Sequence, residues 1–102
     1  MMRLNKEGEK KNKSCKIRVF ASLREIIGAK EVEINFSGDL TVFNLLDLFV
    51  EKFDEKVYHH LFDENRKVKE RFFFILNGKT VTLKTKVKDG DILAILPPII
   101  GG

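Results

Sequence analysis

One short apolar segment near the C-terminus limits what this chain can fold into more than any other feature. Residues 92–96 read Ile-Leu-Ala-Ile-Leu, so apolar side chains occupy both alternating positions. A strand with that pattern is typically covered on both faces, as in the middle of a sheet. Pro97 and Pro98 then stop the strand, because proline lacks the backbone N–H that a sheet requires. We therefore predict that 92–96 is the central strand.

The six residues that follow this strand, 97–102, carry no polar side chain. The two prolines hold the segment extended, which lowers the entropy lost when a partner binds it. Ile99 and Ile100 would each contribute roughly 1.5–3 kcal/mol if a partner buried them fully. Gly101 and Gly102 let the backbone and its terminal carboxylate pass a constriction that any side chain would block. We predict a tail that enters a partner and presents its terminal carboxylate for activation as an acyl-adenylate. The alternative is a frayed terminus that happens to end in glycines.

Length and composition predict one domain with a modest core, because the chain has 102 residues of which 43% are hydrophobic. No apolar run approaches the roughly 20 residues needed to span a membrane, and the N-terminus lacks the apolar core of a signal peptide. The single cysteine, Cys15, cannot form an internal disulfide, which favours a reducing cytoplasm. We expect a cytoplasmic protein without a membrane partner.

The positive charge of this chain is concentrated at its N-terminus. Residues 1–14 contain five Lys or Arg and two Glu, which is +3 of the net charge of +4. The remainder is therefore almost neutral, and we expect no nucleic-acid partner. Because residues 1–14 are polar and aperiodic, we predict a disordered basic leader or tag remnant there, followed by a domain at 15–96 and the tail at 97–102.

The first half of the predicted domain begins with two alternating strands. Residues 16–20 alternate cleanly, and that alternation places Phe20 on the polar face of the strand. Ser22 is expected to cap a short helical turn at 23–27. Residues 31–36 alternate again and predict the second strand.

A helix at about 42–53 follows, with Thr41 as its N-cap. Its apolar residues recur at helical spacing and predict a core-facing stripe without chemistry of its own: Val42, Leu45, Leu46, Phe49 and Phe53. The charged segment 54–70 predicts a loop with one helical turn. Its expected apolar anchors are Val57, Tyr58, Leu61 and Phe62.

A hairpin precedes the last strand. Residues 71–76 are rich in strong β-formers, Asn77-Gly78 is a strong two-residue turn signal, and 80–83 returns antiparallel. The order ββα followed by βββ predicts an α+β fold of the β-grasp type, a mixed sheet of four to five strands packed on one main helix. A ferredoxin-like fold would need a second long helix, which 54–70 does not supply.

Other residues with catalytic or metal-binding potential are weaker candidates. His59 and His60 are adjacent, but no further His or Cys completes a ligand set, so a solvated pair is favoured and no metal is expected. Cys15 lacks a histidine partner in any motif. The sequence contains no phosphate-binding glycine loop, nucleophile elbow or carboxylate pair.

Three stretches carry a resemblance to a known family: residues 19–25, Asn77-Gly78, and 88–91 leading into 96–102. Over about residues 16–102 the chain resembles the ubiquitin-like sulfur carriers, and most of all the MoaD-type small subunit of molybdopterin synthase. A Gly-Gly end is shared with ThiS-type thiamin carriers, tRNA-thiolation carriers and ubiquitin. The Pro-Pro pair upstream of it points to the molybdopterin branch.

The resemblance implies a carrier rather than a catalyst, with no cofactor bound by this chain. An adenylating enzyme related to the ubiquitin-activating enzymes would use ATP and Mg²⁺ to join AMP to the Gly102 carboxylate. A sulfur donor would then form a thiocarboxylate, and the tail would enter the large molybdopterin synthase subunit to deliver sulfur to a pterin. A thiamin or tRNA-thiolation carrier, a ubiquitin-like protein modifier, and an interaction module with an inert tail remain open.

The same resemblance implies an apolar docking patch beside the tail. Phe20, Leu96 and Arg24 match family positions in that patch. The third apolar position falls on Thr80, which makes the patch smaller or shifts it. Phe74 is a possible replacement, although core packing competes for its side chain.

Overall fold

The computed structural model describes residues 13–97, which form seven strands and three helices. The strands are β1 (Lys13–Val19), β2 (Glu31–Phe36), β3 (Leu40–Thr41), β4 (Phe73–Leu76), β5 (Lys79–Val81), β6 (Lys86–Val87) and β7 (Ile92–Leu96). The helices are α1 (Ala21–Ile27), α2 (Val42–Glu51) and α3 (Glu55–Leu61). None of the helices within 13–97 is long and apolar enough to cross a membrane.

Five of the strands form one mixed sheet in the order β2-β1-β7-β4-β5, and β3 pairs with β6 in a separate two-stranded sheet. β7 is central, as its apolar sequence predicts. It runs parallel to β1, while every other neighbouring pair in the large sheet is antiparallel. With α2 as the one long helix of the described residues, this is the predicted β-grasp arrangement.

The main helix begins where the sequence predicts. The Thr41 hydroxyl accepts a hydrogen bond from the Asn44 N–H at 3.2 Å, and the Asn44 side chain accepts one from the Thr41 N–H at 3.4 Å. This reciprocal pair is a capping box, which satisfies two otherwise unpaired donors. The helix ends at Glu51, two residues earlier than predicted, and Phe53 packs edge-on against Phe49 with ring centroids 5.4 Å apart. The rest of the predicted stripe is buried: Val42, Leu45, Leu46 and Phe49.

The first strand begins at Lys13, three residues earlier than predicted. The Ser14 N–H donates to the Asp89 carboxylate at 2.8 Å, and the Gly90 N–H donates to the Ser14 carbonyl at 2.7 Å. These partners lie about 75 residues away in sequence, so local alternation does not reveal them. The last two residues of the predicted leader therefore belong to the sheet, and residues 1–12 lie outside the described residues.

The first helix also differs from the prediction. It starts at Ala21 rather than Leu23, with Phe20 at the N-cap position and no side-chain cap, so the prediction that Ser22 caps it is wrong. Ala21 has φ +51°, in the left-handed region that non-glycine residues rarely adopt. Gly28 ends the helix at φ +81°.

The charged segment 54–70 is more helical than predicted. It contains the seven-residue α3, which begins where the Asp54 carboxylate accepts the Lys56 N–H at 2.9 Å. Three of its four predicted anchors are buried, and the fourth, Tyr58, stacks on Phe62 with ring centroids 4.9 Å apart. Periodicity is hard to see over seven residues, which is why the sequence indicated only a turn.

The parallel pairing of β1 and β7 determines where the chain enters and leaves the sheet. Val19 lies opposite Ile95, so Phe20 follows β1 at the same end at which Pro97 follows β7. Lys13 is at the opposite end. The predicted leader and the predicted tail are thus attached to opposite ends of the large sheet.

Candidate functional site

The predicted site residues fall in two groups. Pro97 is described and half-buried, whereas Pro98, Ile99, Ile100, Gly101 and Gly102 lie outside the described residues, so their roles stay predictions. Phe20, Arg24, Thr80 and Leu96 are all described. Their positions show what surrounds the base of the tail.

The large sheet has one buried face and one outer face. Its buried face is formed by Ile17, Val19, Phe74, Leu76, Leu93 and Ile95. On the outer face, Leu96 lies opposite Phe73, and Ile75 lies between Ala94 and Thr80. These five residues (Phe73, Ile75, Thr80, Ala94 and Leu96) form what we call the outer patch.

The outer patch is accessible, which corrects one prediction. The run of apolar residues at 92–96 predicts a central strand covered on both faces, but Ala94 and Leu96 are only half-buried. Phe73 is 50% exposed. An exposed aromatic side chain beside aliphatic neighbours is typical of a protein–protein contact surface.

Phe73 is the residue of this surface that sequence reasoning missed. Phe74, the possible replacement for the polar Thr80 in this surface, is 7% exposed and packs in the core. Because residues 72–74 are all phenylalanine, the sequence alone does not show which of them faces outward. The signal that resolves it is the pairing with β7, which places Phe73 directly opposite Leu96. The apolar surface is therefore shifted toward β4, while Thr80 ends it on β5.

Phe20 and Arg24 form a second part of the surface at the end of the sheet where the tail leaves. The Arg24 guanidinium carbon lies 5.2 Å from the centroid of the Phe20 ring, which is the distance of a cation–π contact. Arg24 Nε also donates to the Val19 carbonyl at 3.3 Å. The structure therefore brings three of the four predicted docking residues together near Pro97, and places the fourth, Thr80, two strands from β7.

The positive charges next to the outer patch are partly neutralised. Arg18, paired with Ala94 across the sheet, donates from Nε to Glu31 at 2.9 Å, and Lys16 lies 3.9 Å from the same carboxylate. The hydrogen bond from Arg18 lowers the pKa of Glu31, and the charge of Lys16 adds to the effect. This border is a solvated ion-pair network, which contributes little to stability.

A cleft of about 410 Å³ lies at the base of the tail. It is lined by residues 20–23 and 71–72 together with His60, Ile95 and Pro97. Burial lowers the pKa of His60, and the nearby charges of Arg71 and Lys69 lower it further. The cleft therefore has a surplus of positive potential at its rim.

The weaker candidates do not form a catalytic or metal site. Cys15 is 2% exposed, and burial together with the charges of Asp91, Asp89 and Glu33 raises the pKa of its thiol to about 12. A thiol held so firmly protonated is a poor nucleophile. Within residues 13–97, no cluster of three or more His, Cys, Asp or Glu could hold a metal ion.

The fold and this surface define a class of protein, the ubiquitin-like β-grasp domains. Residues 17–102 match the model of the ThiS family. The chain therefore belongs to the ThiS family of ubiquitin-like sulfur carriers, as its resemblance implied.

Two curated relatives come from Haloferax volcanii. Small archaeal modifier protein 1 is 29% identical over 85 residues, covering 83% of this chain and 97% of that protein. Small archaeal modifier protein 3 is 29% identical over 90 residues, covering 84% and 96%.

Solved structures show the same fold. The crystal structure of SAMP1 from Haloferax volcanii superposes with a TM-score of 0.79 at 29% identity, covering 87% of this chain and 99% of that one. A putative molybdopterin converting factor, subunit 1, from Pyrococcus furiosus gives a TM-score of 0.66 at 26% identity, covering 84% and 98%. The relatives thus include proteins named as modifiers and one named for molybdopterin.

Proposed function

We propose that this chain is a ubiquitin-like modifier and sulfur carrier that is activated at the carboxylate of Gly102. The observation that carries the proposal is the extent of the family match, which runs from the first strand through Gly101 and Gly102. The accessible outer patch, adjoining the base of the tail at Leu96, supplies a surface through which an activating enzyme can hold the domain.

The chemistry involves one group of this chain, the terminal carboxyl group. A Gly102 carboxylate oxygen attacks the α-phosphorus of ATP, pyrophosphate leaves, and the acyl-adenylate that forms is an electrophile. A lysine amine that attacks its carbonyl carbon expels AMP and forms an isopeptide bond, whereas a sulfur donor leads to a thiocarboxylate. The activating partner, an enzyme related to the ubiquitin-activating enzymes, holds the ATP and Mg²⁺. This chain acts as a cosubstrate.

The modifier role is favoured because these two curated relatives are named as modifiers and align with this chain over nearly their whole length. This reverses the order favoured by the Pro-Pro-Ile-Ile-Gly-Gly sequence, which pointed to molybdopterin synthesis. One activated terminus can serve both outcomes, so the two roles are compatible in a single protein. Thiamin or tRNA thiolation would use the same thiocarboxylate.

Sulfur delivery to a molybdopterin synthase is the second candidate. Two observations favour it: the prolines at the start of the tail, and the similarity to the Pyrococcus furiosus protein. In this role the tail would enter the large synthase subunit, and the two isoleucines would be buried there.

Mass spectrometry of the protein in its own cells tests the proposal. The chain should carry an affinity tag at its N-terminus, because Lys13 and Pro97 lie at opposite ends of the sheet. Trypsin cleaves after Lys88 and not beyond it, so a conjugated lysine retains residues 89–102 as a branch. We expect such branched peptides, together with an intact form in which sulfur replaces one terminal oxygen.

Deleting Gly102 should abolish both species, whereas deleting residues 1–12 should leave both in place. Thiocarboxylate without any branched peptide, combined with pterin sulfuration by an added large subunit, would favour the second candidate. Neither species on the wild-type chain would refute activation at Gly102.

A further inference from the structure

The cleft at the base of the tail combines an apolar floor with a basic rim. Its floor includes Phe72, which is 8% exposed, and the buried Leu23 and Ile95. Two basic groups flank the Phe72 ring: the Arg71 guanidinium carbon is 5.5 Å from its centroid, and the His60 ring centroid is 5.8 Å from it. Among residues 13–97, none of the side chains that line the cleft is acidic.

These properties specify a ligand. An apolar group would cover the floor, and a carboxylate would pair with the Arg71 guanidinium at the rim and accept a hydrogen bond from the neighbouring His60 imidazole. Arg71 in particular forms no salt bridge within residues 13–97. Arginine is well suited to hold a carboxylate because it donates two parallel hydrogen bonds.

The chain itself contains a segment with that chemistry, and the segment starts at the cleft wall. Pro97 lines the cleft, and the next five residues are Pro-Ile-Ile-Gly-Gly. Five extended residues span up to about 17 Å. Because the segment is tethered, its binding to the cleft would be intramolecular, with an effective concentration on the order of millimolar.

We propose that this cleft binds the chain's own residues 98–102, with the isoleucines on its apolar floor and the Gly102 carboxylate paired with Arg71 and His60. The inference rests on the proposed function in treating Gly102 as a free terminal carboxylate. Bound in the cleft, the tail would keep the Gly102 carboxylate inaccessible until an activating enzyme displaces the tail from the cleft. The cleft then sets how readily the carboxylate becomes available.

A comparison of two termini tests this. One sample carries the native carboxylate and the other a C-terminal amide, introduced by peptide ligation, which keeps every residue and removes one charge. Truncation is unsuitable because it would create a new carboxylate on the cleft wall. The pKa of the His60 imidazole is measured by NMR in both samples.

A carboxylate near an imidazole favours its charged form. The native chain should therefore show a higher His60 pKa than the amide form, by about half a unit to one unit. Amide resonances of Leu23 and Ile95 should also differ between the two forms.

Arg71→Gln supplies the second half of a double-mutant cycle. The Arg71→Gln substitution by itself raises the His60 pKa, because it removes a positive charge near the imidazole. The quantity to compare is therefore the difference in His60 pKa between the carboxylate and amide forms, measured with and without the substitution. That difference should shrink in the Arg71→Gln background, because the tail loses a partner. Lys79→Gln, which removes an exposed charge on β5 away from the cleft, should leave it unchanged.

Equal His60 pKa values in the two forms, with unchanged Leu23 and Ile95 resonances, would overturn the proposal. So would shifts that disappear on dilution, because they would assign the cleft to the tail of a second copy. The measurement needs no activating enzyme, so its failure leaves activation at Gly102 unaffected, and failure of that activation leaves this result standing.

Discussion

Phe73 and Phe74 are adjacent on β4 and have the same side chain, so they offer a matched test of which sheet face serves docking. Phe74 is 7% exposed and Phe73 is 50% exposed. Replacing a buried phenylalanine with alanine costs about 3–5 kcal/mol of folding free energy. Fully burying a phenylalanine contributes roughly 1.5–3 kcal/mol, so half-burial gives about 1 kcal/mol for Phe73→Ala.

Binding should show the opposite order of effects. An aromatic side chain at the centre of an interface contributes about 2 kcal/mol or more, which is roughly a 30-fold loss of affinity when it is removed. We expect Phe73→Ala to raise the concentration at which the chain half-saturates its activating enzyme by that factor. Phe74→Ala, measured where it remains folded, should alter it far less.

Urea denaturation gives the folding free energies, and ATP–pyrophosphate exchange with the activating enzyme gives the half-saturating concentrations. Comparable destabilisation by the two substitutions would show that Phe73 is a core residue and that the outer patch is misassigned. An unchanged half-saturating concentration for a folded Phe73→Ala would show that the enzyme docks elsewhere.

Three further predictions concern residues outside the outer patch. Because its thiol pKa is about 12, Cys15 should react with iodoacetamide at pH 8 only when the chain unfolds, and rapid labelling without denaturant would contradict its burial. Asn77 has φ +49°, and its side chain donates to Asp91 at 2.8 Å and accepts from the Ile92 N–H at 2.9 Å. Glycine and alanine both remove these hydrogen bonds, but only alanine is strained at positive φ, so Asn77→Gly should be about 1 kcal/mol more stable in urea than Asn77→Ala. Equal stabilities would refute this strain argument. Hydrogen bonds from the backbone N–H groups of Lys67 and Asn65 lower the pKa of Asp63 in the folded chain. Its contribution to stability is therefore present above the pKa of the unfolded chain, near 4, and is lost as pH falls through the lower pKa of the folded chain. Asp63→Asn should flatten the acid end of the plot of unfolding free energy against pH, and an unchanged slope would count against these hydrogen bonds as the cause.

Most of the fold could be predicted from the sequence because the strongest signals were local. The Asn77-Gly78 turn has positive φ at both residues, as a two-residue hairpin of this kind requires. The capping box at Thr41 and the apolar run at 92–96 are equally local. What escaped prediction depends on distant partners: β1 extends to Lys13 because of Asp89 and Gly90.

The site was less predictable than the fold. Phe20, Arg24 and Leu96 were proposed from a family resemblance, and the structure places them near one another at the end of the sheet from which the tail leaves. The exposure of Phe73 could be recognised only from the strand register, because alternation cannot show which of three consecutive phenylalanines faces outward. The cleft lined by α1, α3, residues 71–72 and the end of β7 could be located only from the full topology, because no sequence pattern links His60 to Arg71.

The central position of β7 explains how a small domain can direct a tail of this kind. Leu96 belongs at once to the middle strand, to the outer patch and to the base of the tail, so under the proposed function a partner bound to the outer patch would also fix the point from which the tail starts. Hydrogen-bonded neighbours on both sides hold that strand in place, which leaves the prolines to set the initial direction. If the outer patch is the docking surface, as we propose, its position on the strand that leads into the tail would reduce the conformational search that a partner must complete before it reaches Gly102.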